Sequence, residues 1–226
     1  MTISETSGEI KDKALATLKG KWAEGAVATL IYYAVMIGIP TVLTVACADE
    51  KDANGISTII QLAFIPLAWG FTVFFLRMAR GRRPDYGWLF EGFKRWWWLF
   101  KAYILVGIFT FLWTLLLIVP GIMKSYSYSM VPFILEDNPD FTASGAIDES
   151  MRLMDGHRMR LFILDLSFIG WWLLSLLTLG IGFLFLVPYW QAARAHFYAE
   201  LKANDDEVEA ITAGGNSDET SGQQAL

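Results

Sequence analysis

Apolar runs of about twenty residues recur along this chain, separated by short charged clusters, and their lengths predict membrane helices. A hydrocarbon core about 30 Å thick takes roughly 20 residues of helix. Runs over 25–48, 56–79, 99–119, 161–179 and 181–199 approach or exceed that length. A further segment, 122–135 (IMKSYSYSMVPFIL), is shorter and rich in hydroxyls; at 1.5 Å per residue it reaches only about 21 Å. It can cross where its Ser and Tyr side chains face other helices and a tilted neighbour absorbs the mismatch. The pattern predicts an all-α, polytopic transmembrane helical bundle of about six spans over 25–202, with amphipathic interfacial helices.

The flanks follow a different pattern. In the leader, residues 1–24, Thr6 and Glu9 are spaced as a capping box, and Ile10, Ala14, Leu18 and Trp22 recur every four residues among lysines. Such a helix either lies in the headgroup region with its apolar face down or is a solvated leader. Thr142 is placed to cap a short cytoplasmic helix with Ile147, Met151 and Met154 at helical spacing and Gly156 at its end. The tail, 203–226, is acidic without apolar periodicity, so it is expected to be disordered.

Two of the runs are copies of one another. Residues 103–122 and 162–181 agree at eight of twenty positions at a constant offset of 59, including Phe109/Phe168, Trp113/Trp172 and Gly121/Gly180. Each is read as an apolar helix ending at a glycine turn, Pro120-Gly121 or Gly180-Ile181-Gly182, followed by an apolar segment carrying Pro132 or Pro188. The unit is a membrane hairpin used twice in parallel. The indoles Trp96, Trp97 and Trp98 precede the first copy and are expected to anchor it at the boundary, where the ring meets acyl chain and the N–H meets water.

Composition supports the membrane reading: 54% of residues are hydrophobic, 15% are aromatic, and mean hydropathy is +0.40. Soluble domains average about 45–50% apolar residues. The first 24 residues lack the apolar core of a cleavable signal peptide, so the first span is expected to serve for targeting. Arg77, Arg80, Arg82, Arg83, Lys94, Arg95 and Lys101 crowd the stretch after span two, while 49–55 are mainly acidic. Basic loops stay inside, which places both termini in the cytoplasm. A crossing by 122–135 also returns Arg152, Arg158 and Arg160 to that side. A net charge of −5 without a continuous basic stripe speaks against a nucleic-acid partner. The expected partners are the lipid bilayer and other membrane proteins.

Candidate chemistry is sparse. Asp165 and Arg194 sit at matching depth on consecutive antiparallel spans and should pair, since an unpaired charge in a membrane is costly. The pair reads as a coupling site on an internal cavity or as a salt bridge fixing helix register; its boundary position favours the second. Lys124 and Tyr128, with Ser125, Tyr126 and Ser127 between them, read equally as a polar cavity or a packing seam. His196 beside Arg194 reads as an interfacial residue rather than a proton relay. The lone Cys47 and two distant histidines offer no metal spacing, and no Walker loop, HExxH or GxSxG is present. Neither an enzymatic activity nor a cofactor is expected. A membrane binding or assembly protein is the leading reading, and a small transporter or channel the alternative.

The strings LLLIVPGIMKSYSYSMVPFILEDNP, ESMRLMDGHRMRLFILDLSFIGW and LVPYWQAARAHFYAEL, with FEGFK at 90–94, resemble the bacterial integral-membrane family catalogued as domain of unknown function 975. The resemblance runs from about residue 8 to 202 and carries Ser150, Met154, Gly156, Asp165, Ser167, Phe168, Pro188 and Tyr189. It implies a multi-span protein of the bacterial cytoplasmic membrane and no established activity.

Overall fold

The computed structural model describes residues 5–46, 55, 58–59, 62–178 and 180–223, and these form helices and turns without a strand. Cys47, most of the acidic segment 49–55 and part of the start of the expected second span lie outside the described residues.

Helix α1 (Ser7–Leu18) begins with the expected capping box. The Thr6 hydroxyl accepts from the Glu9 amide, and the Glu9 carboxylate accepts from the Thr6 amide at 2.6 Å. Ile10, Ala14 and Leu18 are buried, but against the chain's last helix rather than free to face lipid. Burying an Ile or Leu stabilises by about 1.5–3 kcal/mol, so α1 is a docked part of the bundle. Trp22 leaves that stripe to start α2 (Trp22–Tyr33), where it packs on Phe185. A π-helical segment, Ala34–Gly38, joins α2 to α3 (Ile39–Ala46). The widening directly precedes Pro40, whose ring has no N–H to donate and crowds the carbonyl four residues earlier.

Helix α4 (Ile65–Ala79) is short and buried all round, with ten of its fifteen residues enclosed. A short helix α5 (Trp88–Glu91) and a 3-10 turn, Gly92–Arg95, lead into α6 (Trp96–Leu116). The Trp96 and Trp98 indoles donate to the carbonyls of Ala63 and Phe141, at 3.0 and 2.7 Å. Only Trp97 faces outward among the three, so two of the expected membrane anchors instead fasten the bundle.

The chain reverses at Leu117, which is extended (φ −160, ψ 136), and not at Pro120-Gly121. Those residues lie inside α7 (Ile118–Ser127), where a proline in the first turn loses no hydrogen bond. Residues 122–135 are not one crossing helix: α7 ends at Ser127, and α8 (Val131–Asp137) starts after a turn. Helix α9 (Ala143–Leu153) carries the expected Thr142 cap, accepting from the Gly145 amide at 3.1 Å. Then α10 (Arg158–Leu166) and α11 (Ile169–Leu177) run nearly end to end, broken at Ser167-Phe168. The freed Ser167 carbonyl accepts from Lys11 of α1 at 2.9 Å, and the same ammonium stands over the Phe168 ring. The second reversal is at Gly180 (φ +90), as expected.

Both hairpins close by the same device. A Cβ on Gly121 would lie 2.7 Å from the Thr114 Cα, and one on Gly182 would lie 2.8 Å from the Ser175 Cα. Gly121 and Gly182 are therefore the structural equivalents, at an offset of 61 rather than 59. The turns between contact points are equal in length, from Thr114 to Gly121 and from Ser175 to Gly182, so the two-residue slip lies between Trp172 and Ser175 and not at the turn.

Helix α12 (Phe183–Gln223) closes the fold and packs on α1, α2 and α4. The acidic stretch from 203, expected to be disordered, continues this helix to Gln223. Its start is held by Arg152, which forks onto Asp205 at 2.7 and 2.6 Å.

Three stretches are long and apolar enough to cross a membrane: Trp22–Leu43, Trp88–Leu116 and Arg158–Leu177. Among the described residues, six such spans are not found. The return segments differ for physical reasons: α4 is only fifteen residues long, α7 and α8 are broken apart, and α12 carries Arg194, His196 and Glu200. The three long stretches are mostly unburied; Phe111, Leu116 and Leu177 are 66%, 68% and 80% exposed. Apolar surface on this scale needs an apolar environment. These features describe a membrane protein.

Candidate functional site

A layer of charge ties the ends of these elements together. Arg77 of α4 bridges Glu91 and Glu136 at 2.8 Å each. Asp137, at the end of α8, is a hub: Arg80 donates to both its oxygens at 2.6 and 2.8 Å, Tyr198 at 2.8 Å and Lys202 at 3.1 Å. Burial alone would raise its pKa; the hydrogen bonds from Arg80, Tyr198 and Lys202 outweigh that and hold the carboxyl below its ordinary value of 3.8. The buried Glu200 carboxylate accepts from Arg160 at 2.7 and 3.0 Å and from the Glu5 amide at 3.0 Å. Tyr198, Glu200, Lys202 and Asp205 lie within about 11 Å along α12, so these clusters share one level. The stretches starting at Trp88 and Arg158 begin beside this layer, and α4, α8 and the charged part of α12 end in it.

Beyond the layer, α10 and α12 bring Asp165 and Arg194 together. The guanidinium holds the carboxylate through Nη2 at 2.7 Å and Nε at 3.4 Å. Trp190, one turn before Arg194, donates its indole N–H to the same carboxylate at 2.7 Å and lies beneath the guanidinium at 4.2 Å. Stacking and forked hydrogen bonding together suit arginine and not lysine. Both side chains are largely shielded, at 20% and 16% exposure.

Arg194 also faces a half-open cleft of about 390 Å³ against the first hairpin. Tyr103 and Thr110 of α6 line it, with Ser125 and Tyr126 of α7 and Tyr128 and Ser129 of the turn beyond. Tyr126 lies within electrostatic reach of both Asp165 and Arg194. The cleft thus offers several hydroxyls around a cation already neutralised by its own carboxylate.

The remaining candidates lie elsewhere. Lys124 points to the Met151 sulfur at 3.7 Å and over the Trp113 ring, away from the cleft. Tyr128 lines the cleft but is 5% exposed. Ser127 is buried, and its carbonyl accepts from Ser150 at 2.7 Å, so the hydroxyl-rich segment serves as both seam and cavity wall. His196 faces α1, with Nε2 at 2.7 Å from the Thr17 hydroxyl, outside the cleft. Among the described residues, no group of three or more His, Cys, Asp or Glu is placed to hold a metal ion.

Sequence reasoning missed Trp190, Tyr103 and Thr110, and the carboxylate hubs Asp137 and Glu200. Trp190 was accessible from its four-residue spacing to Arg194 on one helix face. The hubs had no local signal, because their partners lie at least 40 residues away.

Comparison with known families supports the resemblance over part of the chain. Residues 115–205 match the family described as "Protein of unknown function (DUF975)". The match runs from the end of α6 to the Arg152 partner Asp205, and so holds Asp165, Arg194 and most of the cleft. The FEGFK string at 90–94 lies outside it. No curated protein and no solved structure matched the chain.

Proposed function

We propose that this is a non-enzymatic, multi-pass protein of the bacterial cytoplasmic membrane that binds or assembles with other membrane components. In this reading the three apolar stretches cross outward, and the shorter, broken or more polar segments return inside the protein. The charged layer and both termini then lie in the cytoplasm, in keeping with the rule that basic segments stay inside.

The observation that carries the reading is the self-sufficiency of the shielded charges. Asp165 and Arg194 satisfy each other, and Trp190 completes the carboxylate. A pair closed in this way fixes the register of α10 on α12 and leaves no free charge to bind and release an ion. Its value is conditional: removing one partner of a buried pair costs about 3–5 kcal/mol, less here because both are partly solvated.

The cleft favours a second reading, a small transporter or channel with its site between the hairpins, where repeats commonly place one. A double substitution separates the two. Asp165→Asn should lower the yield of folded protein, and adding Arg194→Gln should restore much of it. In liposomes loaded with a pH-sensitive dye, the parent protein should leak no faster than empty vesicles. A flux that Asp165→Asn abolishes without loss of folded protein would replace the binding reading with the transport one.

A further inference from the structure

A second concavity, which shares Tyr126 with the cleft, runs between α7 and α10 and measures about 540 Å³. Its walls are Ile122 and Met123 from α7 and Met159 and Phe162 from α10, all at least 40% exposed. Tyr126, Gly156 and Arg158 complete its lining. The groove is therefore largely apolar, with Tyr126 and the cationic Arg158 as its polar residues.

Arg158 differs from the arginines of the charged layer. Arg77, Arg80, Arg152 and Arg160 each hold a carboxylate at 2.6 to 2.8 Å. Among the described residues Arg158 reaches only Asp155, at 3.2 Å, and that carboxylate is 81% exposed. Its Nε is shielded from solvent and has no hydrogen-bond partner among them. A buried donor without an acceptor costs about 1–3 kcal/mol, more when charged, so the guanidinium is not fully satisfied by the protein. Its exposed part is what an anion in the groove meets, the side chain being 30% exposed. The N-terminus of α10 lies at Arg158, and no side chain caps it; a helix start favours negative charge.

We propose that this groove holds a phospholipid with an anionic headgroup, its phosphate at Arg158 and an acyl chain along Ile122, Met123, Met159 and Phe162. The chemistry fits at both ends. A guanidinium pairs with phosphate in a fork, and an exposed apolar trough beginning at the first residue of a membrane-length helix is placed to take a lipid tail. Arg158 begins the Arg158–Leu177 stretch, which puts the cation at headgroup level and the trough deeper. A soluble anion would use the cation and leave the trough empty.

The proposal rests on the membrane reading, and fractionation tests that separately: a chain found in the soluble fraction sinks the membrane reading, not the groove alone. The full-length protein in neutral detergent would be offered dioleoylphosphatidylglycerol, dioleoylphosphatidylcholine or glycerol 1-phosphate, and bound lipid would be read by native mass spectrometry. The phosphatidylglycerol should be retained roughly tenfold better than the phosphatidylcholine, as one charge-assisted contact implies, and glycerol 1-phosphate should not compete. Arg158→Gln should erase that preference. Met123→Trp fills the trough while leaving Arg158 in place, and should also remove retention, so the test survives if the first variant does not fold. Equal retention of the two lipids, competition by glycerol 1-phosphate, or retention unchanged in a folded variant of either kind overturns the proposal.

Discussion

Asp137→Ala should lower the temperature at which half the detergent-purified protein stays monodisperse by on the order of 10 °C. The substitution strands Arg80, Tyr198 and Lys202 together, and the carboxylate it removes is only 8% exposed. Breaking a buried pair from one side costs about 3–5 kcal/mol; with Arg80 and Lys202 each 37% exposed, about 3 kcal/mol is expected, and a chain of this size converts each kcal/mol into roughly 2–4 °C. The same hub gives a pH dependence with a definite sign. Its carboxyl is depressed in the fold, so its contribution is complete above the ordinary value of 3.8 and fades as pH falls through the lower folded value. Parent and variant stability should therefore converge in strong acid and diverge above about pH 4. A gap that stays constant from acid to neutral pH would mean the hub is not the source.

Gly121→Ala and Gly182→Ala should each destabilise by about 1–3 kcal/mol, the usual cost of overpacking. Each added methyl meets the side-chain oxygen of Thr114 or Ser175 and, close behind it, the Cα of the same residue, which cannot swing away. Gly107→Ala, in the same α6 helix but with open space around it, should be neutral or gain up to about 1 kcal/mol from helix propensity. Thermal unfolding of the three variants in one detergent checks this ordering. If Gly121→Ala behaves like Gly107→Ala, the shared closing device of the two hairpins is wrong.

What the sequence conveyed was set by the range of its signals. Apolar length is a local property, and it located the stretches starting at Trp22, Trp88 and Arg158. Capping is local too, and Thr6 and Thr142 behave as their spacing implied. Asp165 and Arg194 were legible as a pair because consecutive antiparallel helices put equal depths side by side. The described return segments fall short of span length, and hydropathy alone cannot tell lipid from a protein interior: α4 is apolar and buried among other helices. The helix through Asp205 was missed because its support, Arg152, lies 53 residues away. Pro120-Gly121 suggested a turn, yet the reversal is at Leu117, which nothing in its side chain announces.

The slipped register of the repeat bears on how the two hairpins came to differ. Gly121 and Gly182 set the close approach within each helix pair, and the helices before them are offset by two residues. Asp165 appears only in that second hairpin, on the helix that packs beside Trp190 and Arg194. The repeat thus supplies a common frame, and the ion pair is the part of it that only one copy carries.

In the proposed topology the stretches starting at Trp88 and Arg158 leave one charged face and the chain returns to it. Thiol labelling with a membrane-impermeant reagent tests this topology most directly. In a Cys47→Ser background, Leu117→Cys and Ile181→Cys should react in intact cells, because those exposed residues lie at the two distal reversals. Lys19→Cys and Asp140→Cys, exposed beside the charged layer, should react only after the membrane is opened. Labelling of Ile181→Cys and Asp140→Cys from the same side would contradict the account.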